Sequence, residues 1–189
     1  MNAALEREIS GVAPGTALDL GSGEGGDALW LARNGWAVTA VDIAPSALEI
    51  GAAQQRPGDT ITWVAADLAT WQPPRTYDLV TSCFLHSTVD LPREAILRRT
   101  AAAVAPGGLL LIVGHAGVPH WAPHDGNAGH QVELPTPQQV LDSLFVPGEG
   151  LRESDWDVVT AALVERVATA PDGSTGPITD SVITLRRHL

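Results

Sequence analysis

The chain has 189 residues, 44% of them hydrophobic and 17% charged, a balance that fits one globular domain with a sizeable core and not a disordered segment. Its formal net charge is −11, and all eleven basic residues are Arg. An acidic surface repels a phosphate backbone, so no nucleic-acid partner is expected, and a chain without Lys has no Schiff-base, P-loop or general-base lysine. The opening MNAALEREIS has no signal-peptide core, no apolar run is long enough to span a bilayer, and the lone Cys83 has no intrachain partner. These features predict a cytoplasmic protein without membrane association.

Residues 4–10 read as a short helix with Leu5 and Ile9 on one face. Residues 16–20 (TALDL) read as a buried strand that runs directly into GSGEGG. The spacing of Ala28, Leu29, Leu31 and Ala32 predicts a helix over 27–34, with Gly35 as its stop. A strand over 37–43 and a helix over 45–55 follow, the helix opened by Pro45 and closed by Pro57-Gly58. Strands are expected at 61–66 and 77–83, and a helix from Pro92 to the turn at Pro106. Residues 109–114 (LLLIVG) have the unbroken apolar character of a strand covered on both faces.

Alternation of strands and helices implies right-handed crossovers and a parallel sheet. Residues 157–168 and 178–186 are two extended segments with no helix between them, so an antiparallel hairpin should end the sheet. No repeat or interdomain linker is visible, and residues 1–189 are read as one α/β domain.

The chemistry concentrates in LDLGSGEGGDALWLA, residues 18–32. A glycine-rich turn between strand and helix lets backbone approach a ligand closely. Gly21, Gly23 and Gly26 fit the G-x-G-x-x-G of dinucleotide sites, and Asp42, ending the second strand, stands where a carboxylate accepts ribose hydroxyls. The same residues fit another pattern, Asp19-x-Gly21-x-Gly23-x-Gly25.

With AADLATW, PRTYDLVTSCFLHS and VAPGGLLLIVG downstream, that second pattern resembles the class I methyltransferases that use S-adenosylmethionine (SAM). The resemblance runs from about Thr16 to the C-terminus. It implies a Rossmann-like fold with helices on both faces of a seven-stranded, mostly parallel sheet ending in an antiparallel hairpin. It also implies SAM as cofactor. The backbone of Gly21 and Gly23 would pack on its methionine part, with Asp19 helping to hold the amino group, and Ser22 and Gly25 complete the expected cofactor contacts of the turn. Asp42 would accept the ribose hydroxyls, Asp67 would contact the adenine amino group with Leu68 beside the ring, and Ile43 and Cys83 are counted among the cofactor contacts. A nearer likeness, carried by GSGEGGDALWLA, is to small bacterial methyltransferases of tellurite resistance and related thiol chemistry.

Because a sulfonium is already an activated methyl donor, a base is needed only when the acceptor arrives protonated. His86 and His115 follow the fourth and fifth strands, and either is a candidate base or substrate contact. Alternatively His86 lines the methionine pocket and His115 caps a strand. SCFLHS is not the Asn/Asp-Pro-Pro-Tyr element of nucleic-acid amine methylation, and Cys83 precedes Phe, unlike a cytosine C5 nucleophile. A small-molecule acceptor is therefore expected. The alternatives are a nicotinamide oxidoreductase and a non-catalytic SAM-binding protein.

Residues 115–137 contain His115, His120, His124, Asp125 and His130 and are read as a lid over the site; their spacing matches no zinc pattern, and no metal is expected. Trp30, Trp36, Trp63 and Trp156 are assigned to the core, whereas Trp71 and Trp121 are candidates for stacking on a ligand. The face carrying Arg93, Glu94, Arg98 and Arg99 is read as solvated surface.

Overall fold

In the computed structural model, which describes residues 1–85, 91–117, 134–170 and 172–189, the apolar runs pair into a single sheet. The described elements are α1 (Ala3–Glu8), β1 (Thr16–Leu20), α2 (Gly26–Arg33), β2 (Ala37–Asp42), α3 (Pro45–Ala53), β3 (Thr60–Ala65), β4 (Tyr77–Cys83), α4 (Arg93–Ala101), β5 (Val104–His115), α5 (Pro137–Leu144), β6 (Trp156–Thr169) and β7 (Thr175–Arg187). The sheet has seven strands in the order β3-β2-β1-β4-β5-β7-β6. Strands β1 to β5 run parallel to one another, and β7 is antiparallel to both β5 and β6. The strand order reverses between β1 and β4, where the carboxyl ends of an open α/β sheet leave a crevice.

Period-two alternation sends successive residues to two cores. On one face Leu18, Leu20, Val80, Leu110, Ile112 and Leu185 pack with Ile96 and Leu97 of α4 and with Val140, Leu141 and Leu144 of α5. On the other, Ala17, Leu79, Leu109, Leu111, Val113 and Val182 pack with Leu5 of α1 and Leu31 of α2. Leu5 and Ile9 are both buried, as their spacing predicts, and Glu8 anchors α1 by accepting the hydroxyls of Thr160 and Thr184 at 2.7 and 2.9 Å.

Three readings of the sequence change here. Strand β5 begins at Val104, five residues before the apolar run, because Tyr77 pairs with Val104 before the register shifts to Leu79 with Leu109. Helix α5 was not anticipated; Thr136 and Gln139 close a capping box ahead of Val140, Leu141 and Leu144. The face of α4 is not a solvated surface. Arg98 donates to the Ser143 carbonyl at 2.7 Å, Arg99 donates to the Leu68 carbonyl, and Arg93 lines a cleft between α4 and α5; of the four residues only Glu94 is exposed. Trp36 and Trp156 are buried as expected, Trp30 and Trp63 are partly buried, and Trp71 packs against the core. Trp121 lies outside the described residues.

Candidate functional site

The glycine turn joins the end of β1 to α2 and is tied to the end of β2. The N–H groups of Gly21 and Ser22 both donate to the Val41 carbonyl, at 2.9 and 3.1 Å, and that of Gly23 donates to Asp42 Oδ2 at 2.8 Å. Gly21, Gly23 and Gly25 all have positive φ, the left-handed region that glycine enters without steric cost. The turn rests on Trp63: a Cβ at Gly25 would stand 2.3 Å from the indole Cη2, and one at Gly51 of α3 would stand 2.7 Å from the same atom. The indole Nε1 donates to Gln55 Oε1 at 3.1 Å, so the back of the turn is fixed by β3 and α3 together. At Gly23 a Cβ would meet nothing within 4 Å, which makes the turn open on its outward side.

A cleft of about 190 Å³ lies against this turn, lined by Asp19, Gly21, Ser22, Gly26, Asp27 and Cys83. Asp19 is 3% exposed and accepts the Thr81 hydroxyl at 2.9 Å. Burial pushes its carboxyl up to about 7, and the neighbouring charges of Asp27 and Asp42 push the same way against the Thr81 hydrogen bond. Burial also pushes the Cys83 thiol well up, reinforced by the carboxylates of Asp27 and Asp19. The cleft is thus an acidic pocket that a cation would relieve.

Asp42 divides its carboxylate between Gly23 and the Ala44 N–H, which reaches Oδ1 at 2.9 Å. Beside it, Ile43 stands 69% exposed, an apolar side chain at the mouth of the site. Asp67 is exposed after β3 and shapes its own loop by accepting the Ala69 N–H at 2.8 Å, whereas the Leu68 side chain is buried in the core. The residues expected from the sequence therefore line one carboxyl edge of the sheet: Asp19 and Cys83 at one end, Asp42 and Ile43 next to the turn, Asp67 beyond.

His115 closes β5 on the same edge. Its Nδ1 lies 3.3 Å from Asp180 Oδ1 on β7, and its ring stacks on Phe84 with centroids 4.3 Å apart and planes 23° apart. Neither Asp180 nor Arg166, which bonds Asp180 from β6, was anticipated. His86 and the histidines at 120, 124 and 130 lie outside the described residues, as does most of the expected lid. Among the described residues no group of three or more His, Cys, Asp or Glu is arranged to hold a metal, and no helix is long and apolar enough to cross a membrane.

Residues 17–108 match a family model described as a methyltransferase domain. Over 137 residues the chain is 29% identical to a 2-heptyl-1-hydroxyquinolin-4(1H)-one methyltransferase of Mycobacteroides abscessus, a match covering 69% of this chain and 59% of that protein. Over 112 residues it is 30% identical to ribosomal RNA small subunit methyltransferase C of Alcanivorax borkumensis, covering 57% of this chain and 34% of the relative. The chain thus spans less than two thirds of the length of these relatives. The N-methyltransferase NodS of Bradyrhizobium japonicum, solved with S-adenosyl-L-homocysteine, superimposes with a TM-score of 0.68 over 97% of this chain and 83% of that one, at 17% identity; the two share a fold.

Proposed function

We propose that this chain, which belongs to the class I SAM-dependent methyltransferases, transfers a methyl group from SAM to a small-molecule nucleophile. The observation that carries the reading is the sign of the pocket. Asp19 and Asp27 line the cleft beside the turn, and Asp42 adds a third carboxylate nearby. A dinucleotide would have to lay its pyrophosphate on the start of α2, where these carboxylates repel it. SAM instead brings an ammonium and a sulfonium, both cations, to the same place.

The residues present fit that cofactor along its length. Asp19 would face the amino group, the open side of Gly23 would admit the chain, Asp42 retains lone pairs for the ribose hydroxyls, and exposed Ile43 would offer a surface to the adenine. When bound, SAM supplies a methyl group activated by its sulfonium. The protein's part is then to align the acceptor and, for a protonated acceptor, to take its proton. His115, at the carboxyl end of β5, is our candidate for that second task, and His86 is the other.

A small acceptor is favoured over RNA by the net charge of −11, since RNA binding draws on Lys and Arg against phosphate. Of the two relatives, the one named for a hydroxyquinolinone is the better guide. Calorimetry with SAM and with NAD(H) separates methyltransferase from oxidoreductase: micromolar SAM binding with no NAD(H) binding is expected, and the reverse refutes the reading. A methyl-transfer screen across thiols, phenols, amines, halides and chalcogen oxyanions then separates an enzyme from a non-catalytic SAM binder.

A further inference from the structure

The antiparallel pairing of β5 with β7 sets His115 directly opposite Asp180. Both side chains point to the face that carries Asp19 and the cleft, since Asp180 stands two residues from Val182 and His115 two from Val113, both in that core. Asp180 is 3% exposed, yet its carboxylate has two partners. Arg166, its diagonal neighbour on β6, donates through Nε to Oδ2 at 2.5 Å, and His115 Nδ1 approaches Oδ1 at 3.3 Å. A buried carboxylate needs such a cation, and Arg166 supplies it.

The imidazole is held on its other side by Phe84. That residue has φ 56°, the one non-glycine at positive φ among the described residues. A phenylalanine is driven there only against a cost of about 1–2 kcal/mol. The turn it makes after β4 lays its ring on His115 and under the Arg166 guanidinium, 5.6 Å from the ring centre. Cys83, its chain neighbour, lines the cleft. A strained residue thus joins the cleft to a histidine that keeps 36% of its side chain accessible.

We propose that Asp180, fixed by Arg166, is a positioning residue that holds His115 as the Nδ1–H tautomer, so that Nε2 is the basic nitrogen presented to an acceptor bearing a phenol- or enol-type hydroxyl. This rests on the methyltransferase reading above. An acceptor that is already an anion, such as a halide or an oxyanion, gains nothing from a base, whereas a phenol-type hydroxyl, with a pKa near 10, needs one at neutral pH. In the transfer the acceptor oxygen forms its bond to the methyl carbon while its proton passes to Nε2. The carbon–sulfur bond breaks and its electron pair stays on sulfur, leaving a neutral thioether and an imidazolium that Asp180 stabilises.

The test reads the tautomer directly, by long-range ¹⁵N–¹H correlation of the histidine side chains in the full chain with and without SAM. The wild type is expected to show His115 protonated at Nδ1. In Asp180→Asn, Arg166 should claim the amide oxygen, so that the amide NH₂ faces Nδ1 and forces the proton to Nε2. That variant should bind SAM within about twofold of wild type by calorimetry, yet lose roughly 10²–10⁴ in kcat on phenol acceptors. His115→Gln should lose as much. A wild-type His115 protonated at Nε2 overturns the proposal without any variant. So does an unchanged tautomer in Asp180→Asn, or undiminished phenol methylation in His115→Gln. Absence of SAM binding by the wild type would instead refute the methyltransferase reading, and the two failures are separately visible.

Discussion

Asp42 accepts the N–H of Gly23 at 2.8 Å, a bond that ties the end of β2 to the glycine turn and gives one carboxylate two tasks. Its other oxygen accepts the Ala44 N–H that starts the chain toward α3. Asp42→Ala should therefore weaken SAM binding at least about tenfold, because a charge-assisted hydrogen bond to the ribose contributes about 1.5–3 kcal/mol. It should also lower the melting temperature of the free protein by several degrees, since two partly buried N–H groups lose their acceptor. Calorimetry and thermal unfolding read the two effects separately. Wild-type SAM affinity in the folded variant would remove Asp42 from the site.

The glycines of the turn should divide into two kinds. Gly23 faces open space, so Gly23→Val should fold, at the cost of placing a β-branched residue at φ 53°, and should lose SAM binding through intrusion on the ligand. Gly25→Ala adds a Cβ that meets Trp63 at 2.3 Å and sits at φ 75°, so it should destabilise the fold itself by about 2–4 kcal/mol. Circular dichroism and urea titration decide this. A stable Gly25→Ala, or a Gly23→Val with normal affinity, would contradict the assignment.

The parallel half of the sheet was legible because its signals are local: apolar strands, Pro and Gly punctuation, and a turn whose glycines are close in sequence. Helix α5 went unread although Thr136-Pro137-Gln138-Gln139 carries a capping signal, because the surrounding Pro and Gly draw attention to loops. The partners of His115 were not legible. Asp180 lies 65 residues away, and alternation assigns a residue to a face without fixing which residue opposes it. The same holds for Arg98 and Arg99, whose acceptors are carbonyls 45 and 31 residues distant. Nor does a phenylalanine announce positive φ.

Cys83 should be chemically silent. Burial and the carboxylates of Asp27 and Asp19 all disfavour its thiolate, the form that attacks electrophiles. Native protein at pH 8 should resist iodoacetamide over hours and react promptly once unfolded, as intact-mass spectrometry would show. Native labelling at the rate of a free thiol would refute this and reopen thiolate chemistry in the cleft.

Asp19 should make both stability and SAM binding depend on pH, in opposite directions. Its carboxyl is held at about 7, above the 3.8 of an unperturbed Asp, first by burial and then by the charges of Asp27 and Asp42. Between those values the folded chain binds a proton that the unfolded chain has released. The contribution to stability is therefore fully present below about pH 4 and is lost as pH rises through 7, by on the order of 4 kcal/mol at most. Asp19→Asn keeps an acceptor for Thr81 but has no proton to lose, so its urea midpoint should fall less between pH 5 and 8 than that of the wild type. For the SAM ammonium the useful form is the carboxylate. Wild-type affinity should rise toward pH 8, by up to tenfold per unit below 7, and binding at pH 6 should release a proton to the buffer. Calorimetry in buffers of differing ionisation enthalpy measures that proton. Equal proton release by wild type and Asp19→Asn would assign it to another group, and a flat affinity from pH 6 to 8 would mean that Asp19 does not meet the ammonium.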